Sequence, residues 1–189
     1  MGIRNIWSLT VDEALVISEI RQKLGKDKYE VFLPANSQLK DIDLILMNLE
    51  RMEPITLQVK GSRTWEESKK VKQIYGEGTA GWIQIRKTTI YEPSFRIDFF
   101  IFVFHNLVDT TEKGVTKKQI KINYLIIPAD RLKERIVGRT AIQMGGGVFY
   151  KLFIWIDDKG RRAFDFAEKG KEIEFSDFLD NWDILKQVA

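Results

Sequence analysis

The chain has no cysteine. That excludes disulfides, thiolate zinc sites and cysteine nucleophiles, and it fits a reducing compartment. It has a single histidine, His105, which excludes histidine-rich metal sites and leaves at most one histidine general base. Neither sign of charge dominates: 30 Lys and Arg stand against 27 Asp and Glu, a net charge of +3. Without a global basic field, any contact with nucleic acid has to come from local clusters of Lys and Arg. No apolar run is long enough to span a bilayer, and Met1 to Ser8 lack the apolar core of a signal peptide, so a cytoplasmic location without a membrane partner is expected. Internal repeats and low-complexity tracts are absent.

What remains is an ordinary globular composition with a heavy aromatic load. At 189 residues, 44% hydrophobic and 30% charged, the chain is sized for one domain with a full core and is short for two. Twelve Phe and five Trp belong to that core or to a binding face. Thr10 to Leu24 reads as a helix: Thr10 caps it, Asp12 and Glu13 fill its first turn, and Gly25 stops it. Tyr29 to Pro34, Ile42 to Leu49 and Ile55 to Lys60 read as strands, with Pro54 tolerable only at the start of the last and Gly61 as a break. A charged helix over Trp65 to Tyr75 follows. Gly81 to Thr89, Phe95 to Asn106 and Lys121 to Pro128 read as further strands. The middle one is so nearly continuously apolar, from Ile97 to Phe104, that both its faces are expected to be buried. A short helix over Asp130 to Ile136 comes next. Strands over Val148 to Asp157 and Arg162 to Phe166 surround a turn at Asp158-Lys159-Gly160, and a terminal helix runs over Phe175 to Val188. No linker is visible, so residues 1–189 form a single α/β or α+β domain.

Charge within apolar strands is the feature that points to function. Asp43 lies in Asp43-Leu44-Ile45-Leu46-Met47; Gln58 and Lys60 lie in Ile55-Thr56-Leu57-Gln58-Val59-Lys60. Buried strands rarely carry Asp or Lys without a partner or a task. A turn centred between Arg51 and Met52 sets Asp43 opposite Lys60 and Ile45 opposite Gln58. Side chains alternate along a strand, so Asp41, Asp43, Gln58 and Lys60 share one face, and Leu44, Leu46, Leu57 and Val59 the other. The plain reading is a cross-strand Asp–Lys pair on a solvated face. In the first helix, at about 100° per residue, Glu13 falls on the stripe of Ile17, Ile20 and Leu24, aimed at whatever the helix packs on. Thr10-Val11-Asp12-Glu13 is also a capping box in which Glu13 bonds back to the Thr10 amide, and one rotamer does not easily serve both roles.

A helix Glu, a strand Asp and a following Gln-x-Lys, in this order, resemble the PD-(D/E)xK, or restriction-endonuclease-like, nuclease superfamily. The resemblance covers about the first third of the chain, from Asp12-Glu13-Ala14 through Asp41-Ile42-Asp43-Leu44-Ile45 to Leu57-Gln58-Val59-Lys60-Gly61-Ser62-Arg63. It implies an α/β fold whose restriction-endonuclease-like core, a mixed central β-sheet flanked by helices, occupies about 10–106, with additional C-terminal strands and a terminal helix in 107–189. The activity it implies is that of a metal-dependent nuclease hydrolysing phosphodiester bonds. DNA is the usual substrate, in restriction, repair or mobile-element biology, and cutting both strands would suggest a homodimer.

That reaction needs a hard divalent cation, Mg²⁺ or Mn²⁺, on oxygen ligands, to polarise the phosphate and lower the pKa of a bound water. By the resemblance, Asp43 is the central metal ligand, the Val59 main-chain carbonyl and Glu13 are further ligands, and Lys60 orients the attacking water or stabilises charge on the phosphate. Ser62 and Arg63 would contact a phosphate, and Asp41 is the alternative acidic ligand. Gln58 stands where the family usually has Asp or Glu. Its carbonyl offers a ligand with one negative charge fewer, so the alternative is a catalytically weak or inactive nuclease-fold module that binds nucleic acid or a protein. If the nuclease reading holds, the Glu13, Asp43 and Lys60 side chains converge.

Other features have plainer readings. Lys69, Lys70 and Lys72 form one basic group, Lys117, Lys118 and Lys121 a second, and Arg131, Lys133, Arg135 and Arg139 a third. Each is expected to be a solvated face, with one or two lining a DNA groove. Trp65, Tyr75 and Trp82 are expected in the core rather than stacked on bases. Gly76-Glu77-Gly78 and Gly145-Gly146-Gly147 have no phosphate-loop lysine nearby. His105, ending an apolar strand, is expected to be structural.

Overall fold

The computed structural model describes residues 10–34, 41–65, 69–112, 114–157, 161–168 and 170–188. The N-terminal residues and the expected turn at 158–160 lie outside them. In chain order the elements are α1 (Val11–Ile20), β1 (Tyr29–Phe32), β2 (Leu44–Asn48), β3 (Glu53–Trp65), α2 (Lys69–Tyr75), β4 (Gly78–Arg86), α3 (Lys87–Tyr91), β5 (Phe99–Glu112), β6 (Val115–Pro128), α4 (Ala129–Ile136), β7 (Ile142–Met144), β8 (Gly147–Asp157), β9 (Ala163–Asp165), β10 (Ile173–Glu174) and α5 (Ile184–Val188). The architecture is mixed α/β with a mixed central sheet. Among the described residues no helix is long and apolar enough to cross a membrane.

β3 organises the molecule. β1, β2 and β3 form an antiparallel meander. Residues 57–62 of β3 then pair in parallel with residues 99–104 of β5, a pairing made available by the long excursion between the two strands. β6 returns antiparallel to β5. At its far end β3 changes partner, and Arg63 to Trp65 pair with β4. β4 opens a second, antiparallel group in which β8 follows β4, β9 follows β8 and β10 follows β9, with β7 beside the start of β8.

The two faces of β5 are both buried, as its nearly continuous apolar run implies. Phe99, Ile101 and Val103 pack with Val16 and Ile20 of α1 and with Leu44 and Leu57. Phe100, Phe102 and Phe104 pack against Ile83, Ile85, Leu152 and Ile154 of the second strand group. Each fully buried side chain of this size stabilises the fold by roughly 1.5–3 kcal/mol relative to exposure. Close packing also explains Gly81. A Cβ there would lie 2.5 Å from Ser62 Oγ and 2.6 Å from the Phe104 ring, so only glycine lets β4 pass this near β3 and β5.

The structure corrects the sequence reading in four places. The β2–β3 turn sits one residue earlier: Asn48 pairs with Glu53 and Leu44 with Leu57. Asn48 Oδ1 accepts from the amides of Glu50 and Arg51, and Met52 N donates to Asn48 O, a side-chain-built turn of the kind Asn favours. The ladder is thereby two residues out from the expected register. Asp43 meets Gln58 rather than Lys60, and because the slip is even the strand faces keep their assignments. Second, β3 does not break at Gly61 but runs to Trp65. Third, the strand expected to reach Thr89 ends at Arg86 and gives way to α3. Fourth, the terminal helix is interrupted. Only a single turn at Ser176–Phe178 and the short α5 are helical, and between them Asp180 adopts φ 50. Its carboxylate accepts from Tyr124 N and Asn123 Nδ2 of β6, each at 2.8 Å, long-range bonds that hold the segment to the sheet in place of a continued helix.

Candidate active site

Three of the motif residues are placed by β2 and β3. Asp43 stands at the entrance of β2, 7% exposed, and Gln58 lies inside β3, 1% exposed. Gln58 Nε2 donates a hydrogen bond to Asp43 Oδ2. The Val59 amide donates to the same oxygen at 2.8 Å, and Asp43 N donates to Leu57 O at 2.9 Å. The buried carboxylate is thus held by neutral donors from the neighbouring strand, as burial requires. Lys60 alternates to the same side of β3 as Gln58, is half-buried, and lines a groove of about 210 Å³ with Gly61, Trp82, Ile83 and Gln84. Ser62 is buried and donates to Trp82 O at 3.0 Å, tying β3 to β4. The Arg63 and Trp65 side chains lie outside the described residues.

Two expected ligands are engaged elsewhere. Glu13 is buried on α1, yet it closes the capping box: Thr10 N donates to Glu13 Oε2 at 3.0 Å, and Glu13 N to Thr10 Oγ1 at 3.2 Å. The helix covers the Leu57 and Val59 side of β3, whereas Lys60 alternates to the other side, so Glu13 and Lys60 are not brought together and the expected convergence of Glu13, Asp43 and Lys60 is not met. Asp41 turns to the segment after β4, accepting from Thr89 Oγ1 at 3.1 Å and Ser94 N at 3.4 Å. It pins α3 and leaves Asp43 as the carboxylate at Gln58.

Among the described residues no three His, Asp or Glu side chains gather closely enough to share a metal ion. The donors that Mg²⁺ would find at the hairpin are the Asp43 carboxylate, the Gln58 side-chain carbonyl and the Val59 main-chain carbonyl. These are the right type, since Mg²⁺ is commonly held by one or two carboxylates together with water and substrate phosphate. Gln58 turns its nitrogen to Asp43; a half-turn of the nearly isosteric amide presents oxygen instead.

A second polar constellation lies beside the first and was not read from the sequence. Asp12 Oδ1 is 2.6 Å from His105 Nε2, both side chains partly exposed. The same carboxylate sits on Gly61: a Cβ at that position would lie 1.9 Å from Asp12 Oδ2. Gly61 therefore serves as a seat for the start of α1. Asp12 and His105 are 93 positions apart, and nothing in either local pattern announces the other. Tyr124 is close by. Burial first, then the nearby carboxylates of Glu19, Asp180 and Asp12, push its phenol up to about 12.

The remaining candidates sort as follows. Tyr75 packs on Trp155, Phe164 and Phe166 with ring centroids 4.8 to 6.2 Å apart, a core role as expected. A larger cleft of about 730 Å³ lies by α4 and the start of β5, away from the motif; its charged lining is balanced between Arg96, Arg131 and Lys133 and Asp98, Asp130 and Asp177, so it offers no field of one sign. Compared with protein-family models, with curated proteins and with solved structures, the chain has no match.

Proposed function

We propose that the protein is a metal-dependent nuclease of the restriction-endonuclease-like kind, acting on DNA through a site reduced to the hairpin residues Asp43, Gln58 and Lys60, without the Glu13 that the resemblance includes. One observation carries the reading. Asp43 and Gln58, 15 residues apart, meet side chain to side chain across neighbouring strands, and Lys60 follows on the Gln58 side of β3 beside an open groove. A mixed sheet in which β3 of this hairpin pairs with β2, β4 and β5, with α1 against one face, supports the same reading. Bound Mg²⁺ or Mn²⁺ would supply Lewis acidity towards the scissile phosphate. Asp43, with the Gln58 and Val59 carbonyls, would hold it. Lys60 would keep its ammonium against a non-bridging phosphate oxygen or the attacking water, a placed positive charge where negative charge develops.

The test is cleavage of duplex DNA with Mg²⁺ or Mn²⁺. Asp43→Ala and Lys60→Ala abolish cleavage while circular dichroism and the melting temperature report a folded chain; full activity in Asp43→Ala would sink the assignment. Gln58→Glu restores the acidic position. Its two buried carboxylates repel each other unless a cation lies between them, so its melting temperature rises more steeply with Mg²⁺ than the parent's. A second reading has its own support. The Asp43 oxygen already accepts from two neutral donors, which favours a module that binds nucleic acid without cutting it. Binding without cleavage of duplex, branched or single-stranded DNA would select that reading.

A further inference from the structure

The β5–β6 hairpin is far longer than the sheet requires. Pairing of β5 with β3 ends at Phe104 opposite Ser62, but β5 and β6 continue to pair with each other through Glu112 and Val115. The eight residues beyond Phe104 carry the ribbon about 26 Å past the sheet, at about 3.3 Å per residue. Its base is buried at Asn106 and Asn123, but toward the tip both faces are open. Every residue from Val115 to Ile120 is exposed, as are Asp109, Thr111 and Glu112; Ile120 is 67% exposed and Val115 57%. A ribbon tip this exposed contributes little core and needs another reason to be ordered.

Its chemistry suggests the partner. From Val115 to Lys121 the strand carries Lys117, Lys118 and Lys121 and no acidic residue, interspersed with Thr116 and Gln119. Register places Thr110 opposite Lys117, Thr111 opposite Thr116 and Asp109 opposite Lys118, so near the tip hydroxyls and ammonium groups share the faces with one directly facing carboxylate, and the ribbon's lysines still outnumber Asp109 and Glu112. Members of the other two basic groups are matched by carboxylates. Lys72 pairs with Glu77, Arg131 with Glu134, Arg135 with Asp177 and Arg139 with Asp165. Position completes the case. β5 runs parallel to β3, and Lys60 pairs with Phe102 two residues before the sheet ends. The ribbon therefore leaves the same end of the sheet at which Lys60 lies. A two-stranded ribbon fits the major groove of B-DNA, about 12 Å wide, and its lysines can reach the flanking phosphates.

We infer that the β5–β6 ribbon is a duplex-DNA grip, lying along a groove with Lys117, Lys118 and Lys121 on the phosphates and presenting the duplex to the Lys60 end of the sheet. The inference rests on the nuclease reading for its ligand class. The test is binding of the full-length chain to a fluorescent DNA duplex, by anisotropy without divalent metal, between about 50 and 200 mM salt. The triple variant Lys117→Gln, Lys118→Gln, Lys121→Gln is expected to bind about 10- to 100-fold more weakly at the low-salt end, and to lower the slope of log affinity against log salt by about 2 to 3. A second variant, with residues 109–118 replaced by an Asn-Gly turn, should lose affinity similarly, with an unchanged melting temperature showing an intact core. Parental affinity and salt slope in both variants would overturn the grip and leave the nuclease reading standing, provided that both still cut DNA. If the parent neither binds nor cuts duplex, both readings fall. If Ile120→Lys instead converts a dimer to a monomer in sedimentation with DNA binding intact, the ribbon is a subunit contact and the grip is overturned.

Discussion

Asp12 shows how much one side chain can fix. Its carboxylate meets His105 and occupies the space above Gly61, so the start of α1, the middle of β5 and the residue after Lys60 are held at one point. Gly61→Ala forces a methyl group into that carboxylate, and its expected cost is about 1–3 kcal/mol, the usual range for overpacking. In an Asp12→Ala background the same substitution should cost much less, and urea unfolding of the two single variants and the double variant measures the difference as a coupling. Equal costs in both backgrounds would mean that the carboxylate is not what excludes the methyl. Sequence alone reads Gly61 as a strand break, because a glycine in a strand signals a weak point. Its real cause is a residue on another element. Asp43 and Gln58 were legible for the opposite reason: polar groups in an otherwise apolar strand stand out without knowledge of their neighbours.

At the scale of elements, α1 and the β2–β3 hairpin carry most of what can be tested. The capping box binds Glu13 to Thr10 in both directions. Thr10→Ala removes one half and is expected to cost about 1 kcal/mol. Glu13→Gln keeps the shape and an acceptor for the Thr10 amide, so the variant should retain most of the proposed cleavage activity. Metal-dependent cleavage that survives Thr10→Ala but vanishes in Glu13→Gln would instead put Glu13 in the metal site. The capping box was visible in the sequence because it is local, closing within one turn. Register was less visible. The position of the hairpin turn hinges on Asn48 accepting two amides, and a turn displaced by one residue moves every partner by two while leaving both faces intact. The terminal helix was misread for a related reason. Its apolar pattern is helical, but Asp180 finds better partners on β6 than in its own turn.

At the scale of the whole molecule, stability at high pH should report how the C-terminal segment is anchored. Tyr124 is buried, its ring lies edge-on to Trp182 at 5.1 Å, and its pKa is raised from 10.0 to about 12. In the folded chain the phenol holds its proton longer than in the unfolded chain. The unfolded state therefore loses protons first as pH rises, and stability falls between about 10 and 12. Tyr124→Phe removes this part of the pH dependence. Melting temperatures of parent and variant across that interval, with tyrosinate absorbance as a second probe, check it; parallel curves would exclude the effect. The broad class, the doubly buried central strand and the aromatic core could all be read from composition and periodicity. The ribbon beyond Phe104 could not, because its polar, β-prone sequence is equally that of a loop until a partner strand pairs with it.

β3 belongs to both strand groups, and this bears on the order in which the molecule assembles. The β1–β2–β3 meander and the β5–β6 hairpin join segments close in sequence, and such local pairings form early. The parallel pairing of β3 with β5 must first close the excursion between them, and contacts of that separation are slow to nucleate. Asp43 and Gln58 therefore meet as soon as the meander exists. The groove beside Lys60 needs in addition the pairing of Arg63 to Trp65 with β4, so it takes shape only when β3 is bound into its second strand group.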